Sequence, residues 1–239
     1  MKRKGFTLIE LMIVIAIIAI LAAVGVPSIL GATRVSNERN ASSSLKGLNS
    51  IEMTFRSSDA EQNGVNDFWT SDVAGLYYLT PGAASGRLLL IEFSVAIADG
   101  NTNPNLAGAT WTPLPQHKSS PKAGYWFQAL LNYENPLDTA VAYSQSGISS
   151  GRNLDRYGFI AYPNAYGSSG RMCFVLNESG TMFKRDPASQ PNYLSGGTTP
   201  VQGAADTDGI LTPNAYDTFP SSPNGPGSTK SVGPWSKMD

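Results

Sequence analysis

An uncharged, apolar run near the start of the chain limits what it can fold into more than any other feature. No residue from Leu11 to Thr33 carries a charge, a stretch of 23 positions. As a helix rising about 1.5 Å per residue it reaches ~34 Å, enough to cross the hydrocarbon core of a bilayer. Lys2, Arg3 and Lys4 come just before it. Basic residues on that side predict a cytoplasmic N-terminus, with everything after the run exported. Glu10 is the only charge between Lys4 and Arg34. A carboxylate at that depth is costly in lipid and asks for a paired partner, unless it stays at the membrane interface. It is also foreign to an ordinary signal peptide, whose apolar segment carries no acid and ends in a small-residue cleavage site. Pro27 removes a helix hydrogen bond and favours a kink or local melting. With Gly25 it can equally mark the plain end of a span.

The order Gly5-Phe6-Thr7-Leu8-Ile9-Glu10, directly after a basic leader and ahead of the apolar run, resembles the type IV pilin and pseudopilin family. The resemblance is specific over residues 1–56 and looser beyond. It implies that a prepilin peptidase cuts between Gly5 and Phe6 and then N-methylates the Phe6 amine. Glycine suits the cut, because a residue without a side chain lies extended in a narrow cleft. Methylation keeps the amine positive. The same resemblance implies that Glu10 neutralises the Phe6 amine of a neighbouring subunit docking into a filament, which supplies the partner a buried carboxylate needs. Gly25 and Pro27 also fit the family. The implied partners are further copies of the chain, the peptidase, the membrane before assembly, and the pilus or secretion machinery of the inner membrane. The implied location is a single-pass inner-membrane precursor, then a periplasmic or surface filament.

Charge and cysteine count narrow the rest. The chain has 17 basic and 18 acidic side chains for a net charge of −1. Losing Lys2, Arg3 and Lys4 would leave 14 basic residues and a net charge of −4. A mildly acidic exported chain carries no electrostatic footprint for nucleic acid. Cys173 is the only cysteine, so no internal disulfide can form. Many pilins close a C-terminal loop with a disulfide, and this chain departs from them. Packing, a metal or neighbouring subunits must hold that region instead.

Residues 34–56 continue the helix with a different surface. Ala41, Leu45, Leu48 and Phe55, with Ile51 between them, recur at helical spacing and define one apolar face. Arg34, Glu38, Arg39, Lys46 and Arg56 mark the wet side. Ser42 to Ser44 and Gly47 are weak helix formers, so packing must support the segment. The expectation is one helix from Phe6 to about Arg56, or two helices hinged near Pro27. Residues 57–75 are polar and broken, with Asn63-Gly64 as a turn signal. Asp67-Phe68-Trp69 and Leu76-Tyr77-Tyr78-Leu79 are expected in the core or at subunit contacts. Residues 86–98 are apolar and read as a short helix. Arg87 and Glu92 make them a poor second span.

Residues 100–124 read as a loop, and the single histidine, His117, as solvated surface beside Lys118. Tyr125–Tyr133, Tyr157–Tyr162, Arg171–Leu176 and Thr181–Lys184 read as strands. The last two flank the turn Asn177-Glu178-Ser179-Gly180, a hairpin signal in an antiparallel sheet. A sheet's apolar face needs a cover, and the 34–56 stripe provides one. The fold class is therefore α+β, a long N-terminal helix on a C-terminal antiparallel sheet. The expected divisions are a 1–5 leader, a 6–33 membrane or filament-core helix, a 34–56 amphipathic half, a 57–186 head and a 187–239 tail. The tail holds eight of the sixteen prolines and reads as an extended surface segment, with Trp235 as the residue expected to dock.

Nothing in the sequence builds an enzyme. One histidine and one cysteine cannot make a metal cluster with ordinary spacing, and no phosphate loop is present. No cofactor is expected. Asp206-Thr207-Asp208-Gly209 resembles the start of a calcium loop, but the later oxygen ligands are missing. Asn177-Glu178-Ser179 fits a glycosylation pattern that recurs by chance. Three functions remain open: a pilus subunit, a type II secretion pseudopilin, and an exported binding module whose signal peptide ends at Ala22-Ala23.

Overall fold

The structure, a computed structural model, describes residues 6–81, 86–100, 120–130, 132–134, 140–143, 152–186, 218–219 and 236–238. One helix dominates it: α1 runs over Leu8–Ser57, 50 residues, with Pro27 inside it. The single-helix expectation holds, and the hinge alternative does not. The second half of α1 buries Ala41, Leu45, Leu48 and Phe55, the predicted stripe. Glu52 is buried with them, which the stripe did not predict.

Short elements follow: β1 (Phe68–Trp69), α2 (Gly75–Tyr78) and α3 (Phe93–Ala96). The helix expected over 86–98 is confined to the four residues of α3. Upstream of it the N–H groups of Leu88, Leu89 and Leu90 donate to the carbonyls of Leu79, Tyr77 and Leu76, so their hydrogen bonds go to a neighbouring segment. Asp99 caps α2 from a distance, its Oδ2 accepting from Val73 N (2.9 Å) and Ala74 N (2.8 Å).

The remaining strands are β2 (Tyr125–Ala129), β3 (Asn132–Glu134), β4 (Ala140–Ala142), β5 (Arg152–Asn153), β6 (Gly158–Pro163), β7 (Cys173–Asn177), β8 (Met182–Arg185), β9 (Thr218–Phe219) and β10 (Ser236–Lys237). The central sheet has the order β10-β8-β7-β6-β2 and is antiparallel throughout. β1 pairs with β5, and β4-β3-β9 forms a small third sheet. The β7–β8 hairpin turns where expected. Gly180 takes φ +70°, its N–H donates to Asn177 O at 2.9 Å, and Asn177 Oδ1 accepts from Ser179 N.

Alternation along the strands sends side chains to two faces. Tyr125, Phe127, Ala129, Phe159, Ala161, Phe174, Leu176 and Met182 join Leu45, Leu48 and Phe55 in the main core. Ile160, Tyr162, Cys173, Val175 and Phe183 cluster separately with Leu130 and Tyr143. The sheet therefore buries both faces, where the sequence reading provided a cover for one. At its edge β10 pairs with β8, in the register Ser236↔Lys184 and Lys237↔Phe183. The 187–239 segment, in which the sequence offers no run long enough to read as a strand, thus contributes the two-residue β9 and β10. Trp235, His117, the 206–209 acids and most of that segment lie outside the described residues.

Candidate assembly surface

The start of α1 is set by a reciprocal pair of side-chain bonds. Thr7 is extended (φ −83°, ψ 150°), and its Oγ1 accepts from Glu10 N at 3.3 Å. Glu10 Oε2 accepts from Thr7 N at 2.9 Å and from Thr7 Oγ1 at 2.7 Å. This is a capping box, which satisfies helix donors that would otherwise face lipid or solvent unpaired. Glu10 thus has a partner inside its own chain. Both bonds fall on Oε2 and leave Oε1 for another group. The Thr7-Leu8-Ile9-Glu10 spacing carries this signal in the sequence, and reading Glu10 only as an isolated charge misses it.

From Phe6 to Leu30 the helix presents a nearly unbroken apolar surface. Phe6 is 78% exposed, and Leu8, Ile9, Leu11, Ile18, Ile20, Leu21, Val24 and Ile29 are each more than half exposed. α1 is the helix among the described residues that is long and apolar enough to cross a membrane. A Cβ built on Gly25 would meet nothing within 4 Å, so nothing among the described residues requires a glycine there. Pro27 is exposed within the helix. Of the predicted site residues, the structure joins Glu10 to Thr7, leaves Phe6 and Pro27 exposed and Gly25 half-buried in the helix, and does not describe Gly5.

Where α1 enters the head, polar bonds take over. Asn37 Nδ2 donates to Ser169 O at 2.8 Å, and Glu38 Oε1 accepts from Arg171 N (2.9 Å) and Met172 N (3.3 Å). Asn49 Oδ1 accepts from the Tyr157 hydroxyl. These bonds fix the angle at which the apolar half leaves the head. Among the described residues no group of three or more His, Cys, Asp or Glu is arranged to hold a metal ion.

Comparison with known proteins bears on this surface directly. A family model described as the prokaryotic N-terminal methylation motif matches residues 1–26. A second model, described as a protein of unknown function (DUF2950), matches residues 93–195. The chain is 35% identical over 107 residues to the type IV wide pilus major component PilA4 of Thermus thermophilus, covering 45% of this chain and 74% of that one. It is 42% identical over 67 residues to the type IV major pilin protein PilA of Myxococcus xanthus, covering 28% of this chain and 29% of that one. No solved structure matches. The methylation motif lies on the capped, uncovered helix start, and the Thermus relative is matched over most of its length, so this chain belongs to the type IV pilin family.

Proposed function

We propose that the chain is a structural subunit of a type IV pilus, processed at Gly5–Phe6 and polymerised through the apolar half of α1. One observation carries this reading: a capped, continuous helix exposes its apolar half and finds no cover among the described residues. Burying a single Leu or Ile side chain gains about 1.5–3 kcal/mol, so lipid holds this surface first and neighbouring helices after. In this division residues 1–5 are the leader, 6–33 the membrane and filament-core segment, 34–56 the half that carries the head, 57–186 the head itself and 187–239 the tail.

Prepilin peptidase would remove the leader and methylate the Phe6 amine. The Oε1 atom of Glu10, unused by the capping box, then faces the methylated Phe6 amine of an adjacent subunit. The capping box and the intersubunit pair can form together, because they use different oxygens. Gly25 would let a neighbouring helix approach closely, and Pro27 would leave one carbonyl without its helix donor. The precursor is read as a membrane-anchored subunit with its N-terminus in the cytoplasm, passed by inner-membrane machinery into a surface filament. A secretion pseudopilin is not favoured, because both relatives are pilins by name. A signal-peptide module is not favoured either, because the helix passes unbroken through Ala23 and Val24.

Mass spectrometry of the mature protein tests the processing, and the expected N-terminus is N-methyl-Phe6. Glu10→Ala is expected to be cleaved normally and to lose most filament yield in electron micrographs. Removing one partner of a buried ion pair costs about 3–5 kcal/mol. A start at Val24, or normal filaments from Glu10→Ala, would overturn the corresponding part.

A further inference from the structure

Three buried carboxyl groups cluster beside one guanidinium where the end of α1 packs on β1, the strand that pairs with β5. Glu52 comes from α1, Glu61 and Asp67 from the connection that follows, and Arg152 from β5. Glu52 is 0%, Glu61 5% and Asp67 1% exposed. Arg152 Nη2 donates to Glu61 Oε2, and Asn63 Nδ2 donates to Glu61 Oε1. Asp67 lies against the same Glu61 carboxyl and against Asn63. Glu52 Oε2 accepts the Trp69 N–H at 3.1 Å, while Glu52 Oε1 and both Asp67 oxygens are buried and meet no donor in hydrogen-bonding geometry.

Three ionised carboxylates against one cation would leave two buried charges uncompensated, which a protein interior does not sustain. The other ionisable groups around the cluster do not supply the missing positive charge. Arg56, on α1, is engaged with Asn66 O at 3.3 Å and sits 4.8 Å over the Phe68 ring. Asp59 adds negative charge and is occupied by the N–H groups of Asn63 and Gly64. Asp72, past β1, accepts from Trp69 Nε1 (3.2 Å) and Gly75 N (2.5 Å). Tyr157, ahead of β6, is bonded to Asn49, and Glu178 lies beside it. A proton on one member of the Glu61–Asp67 pair removes a charge and also creates the O–H that the facing carboxylate lacks.

We propose that Glu61 and Asp67 share one proton, that this proton latches the 58–72 connection to β5 and α1, and that its loss loosens the β1–β5 pair. Burial pushes Glu61 up to about 7 against the pull of Arg152. Burial also raises Asp67, and it raises Glu52 well above its ordinary value, which favours the neutral form of Glu52. Folded Glu61 binds its proton more tightly than a glutamate in the unfolded chain, whose value is 4.5. The latch is therefore complete below that value and is lost as pH rises through about 7.

The test is amide hydrogen exchange on the full-length protein in detergent micelles, corrected for the intrinsic pH dependence of exchange. The amides of Phe68, Trp69, Arg152 and Asn153 report the pairing Phe68↔Asn153 and Trp69↔Arg152. In the wild type their protection is expected to fall about tenfold between roughly pH 5 and pH 8, with the β6–β7 amides little changed. Glu61→Gln and Asp67→Asn are expected to flatten that dependence. Constant wild-type protection across the range overturns the proposal, as does a full pH dependence retained in both variants. If a variant does not fold, the wild-type profile alone decides between the two outcomes.

Discussion

The two halves of α1 share one backbone and live in opposite surroundings. The first half, through Leu30, is apolar on all sides and is left uncovered by the described residues of the head. The second half is apolar on one stripe, and that stripe is buried to 1% or less at Ala41, Leu45, Leu48 and Phe55. A helix that is hydrophobic all round must be buried in something, whereas a one-sided helix needs a single cover. The head supplies that cover for the second half. The first half finds none among the described residues, which is why the proposed assembly runs through it.

The contrast can be broken most sharply at Phe55. Phe55→Ala removes a fully buried ring from the main core and is expected to cost the head about 3–5 kcal/mol, read as a lower denaturation midpoint of the full chain in micelles. A smaller effect is expected at the other end of the helix. Thr7→Ala deletes the N-cap hydroxyl and is expected to cost about 1 kcal/mol, seen as faster exchange of the amides of residues 8–11 with the head unchanged. The smallest effect on the head sharpens the comparison most. Ile17→Ala is expected to shift head stability by less than ~0.5 kcal/mol while lowering filament yield. A loss of head stability comparable to that of Phe55→Ala would show that the two halves are not independent.

Much of this was legible in residue order. The four- and three-residue spacings of Ala41, Leu45 and Leu48 gave the helix face, and the glycine at position 180 gave the hairpin that joins β7 to β8. The apolar run and the Gly5–Glu10 order gave the family. The buried acids were not legible. Glu52 occupies a helical position beside the stripe, and Glu61 and Asp67 sit in a polar stretch that reads as solvated loop. Only the return of Arg152 from far along the chain to pair beside Trp69 encloses them, and no local pattern announces that contact. β10 was missed for a similar reason: two residues carry no periodicity, and their partner strand lies some fifty positions earlier.

That short strand has a practical consequence. Met238 N donates to Met182 O at 2.9 Å, and the Met238 side chain packs on the main core. Backbone pairing and a thioether thus return the segment after β8 to the sheet, a task that oxidised thiols perform in many pilins. Such a closure needs no oxidising compartment or thiol oxidase to form, and a reductant such as dithiothreitol leaves it shut.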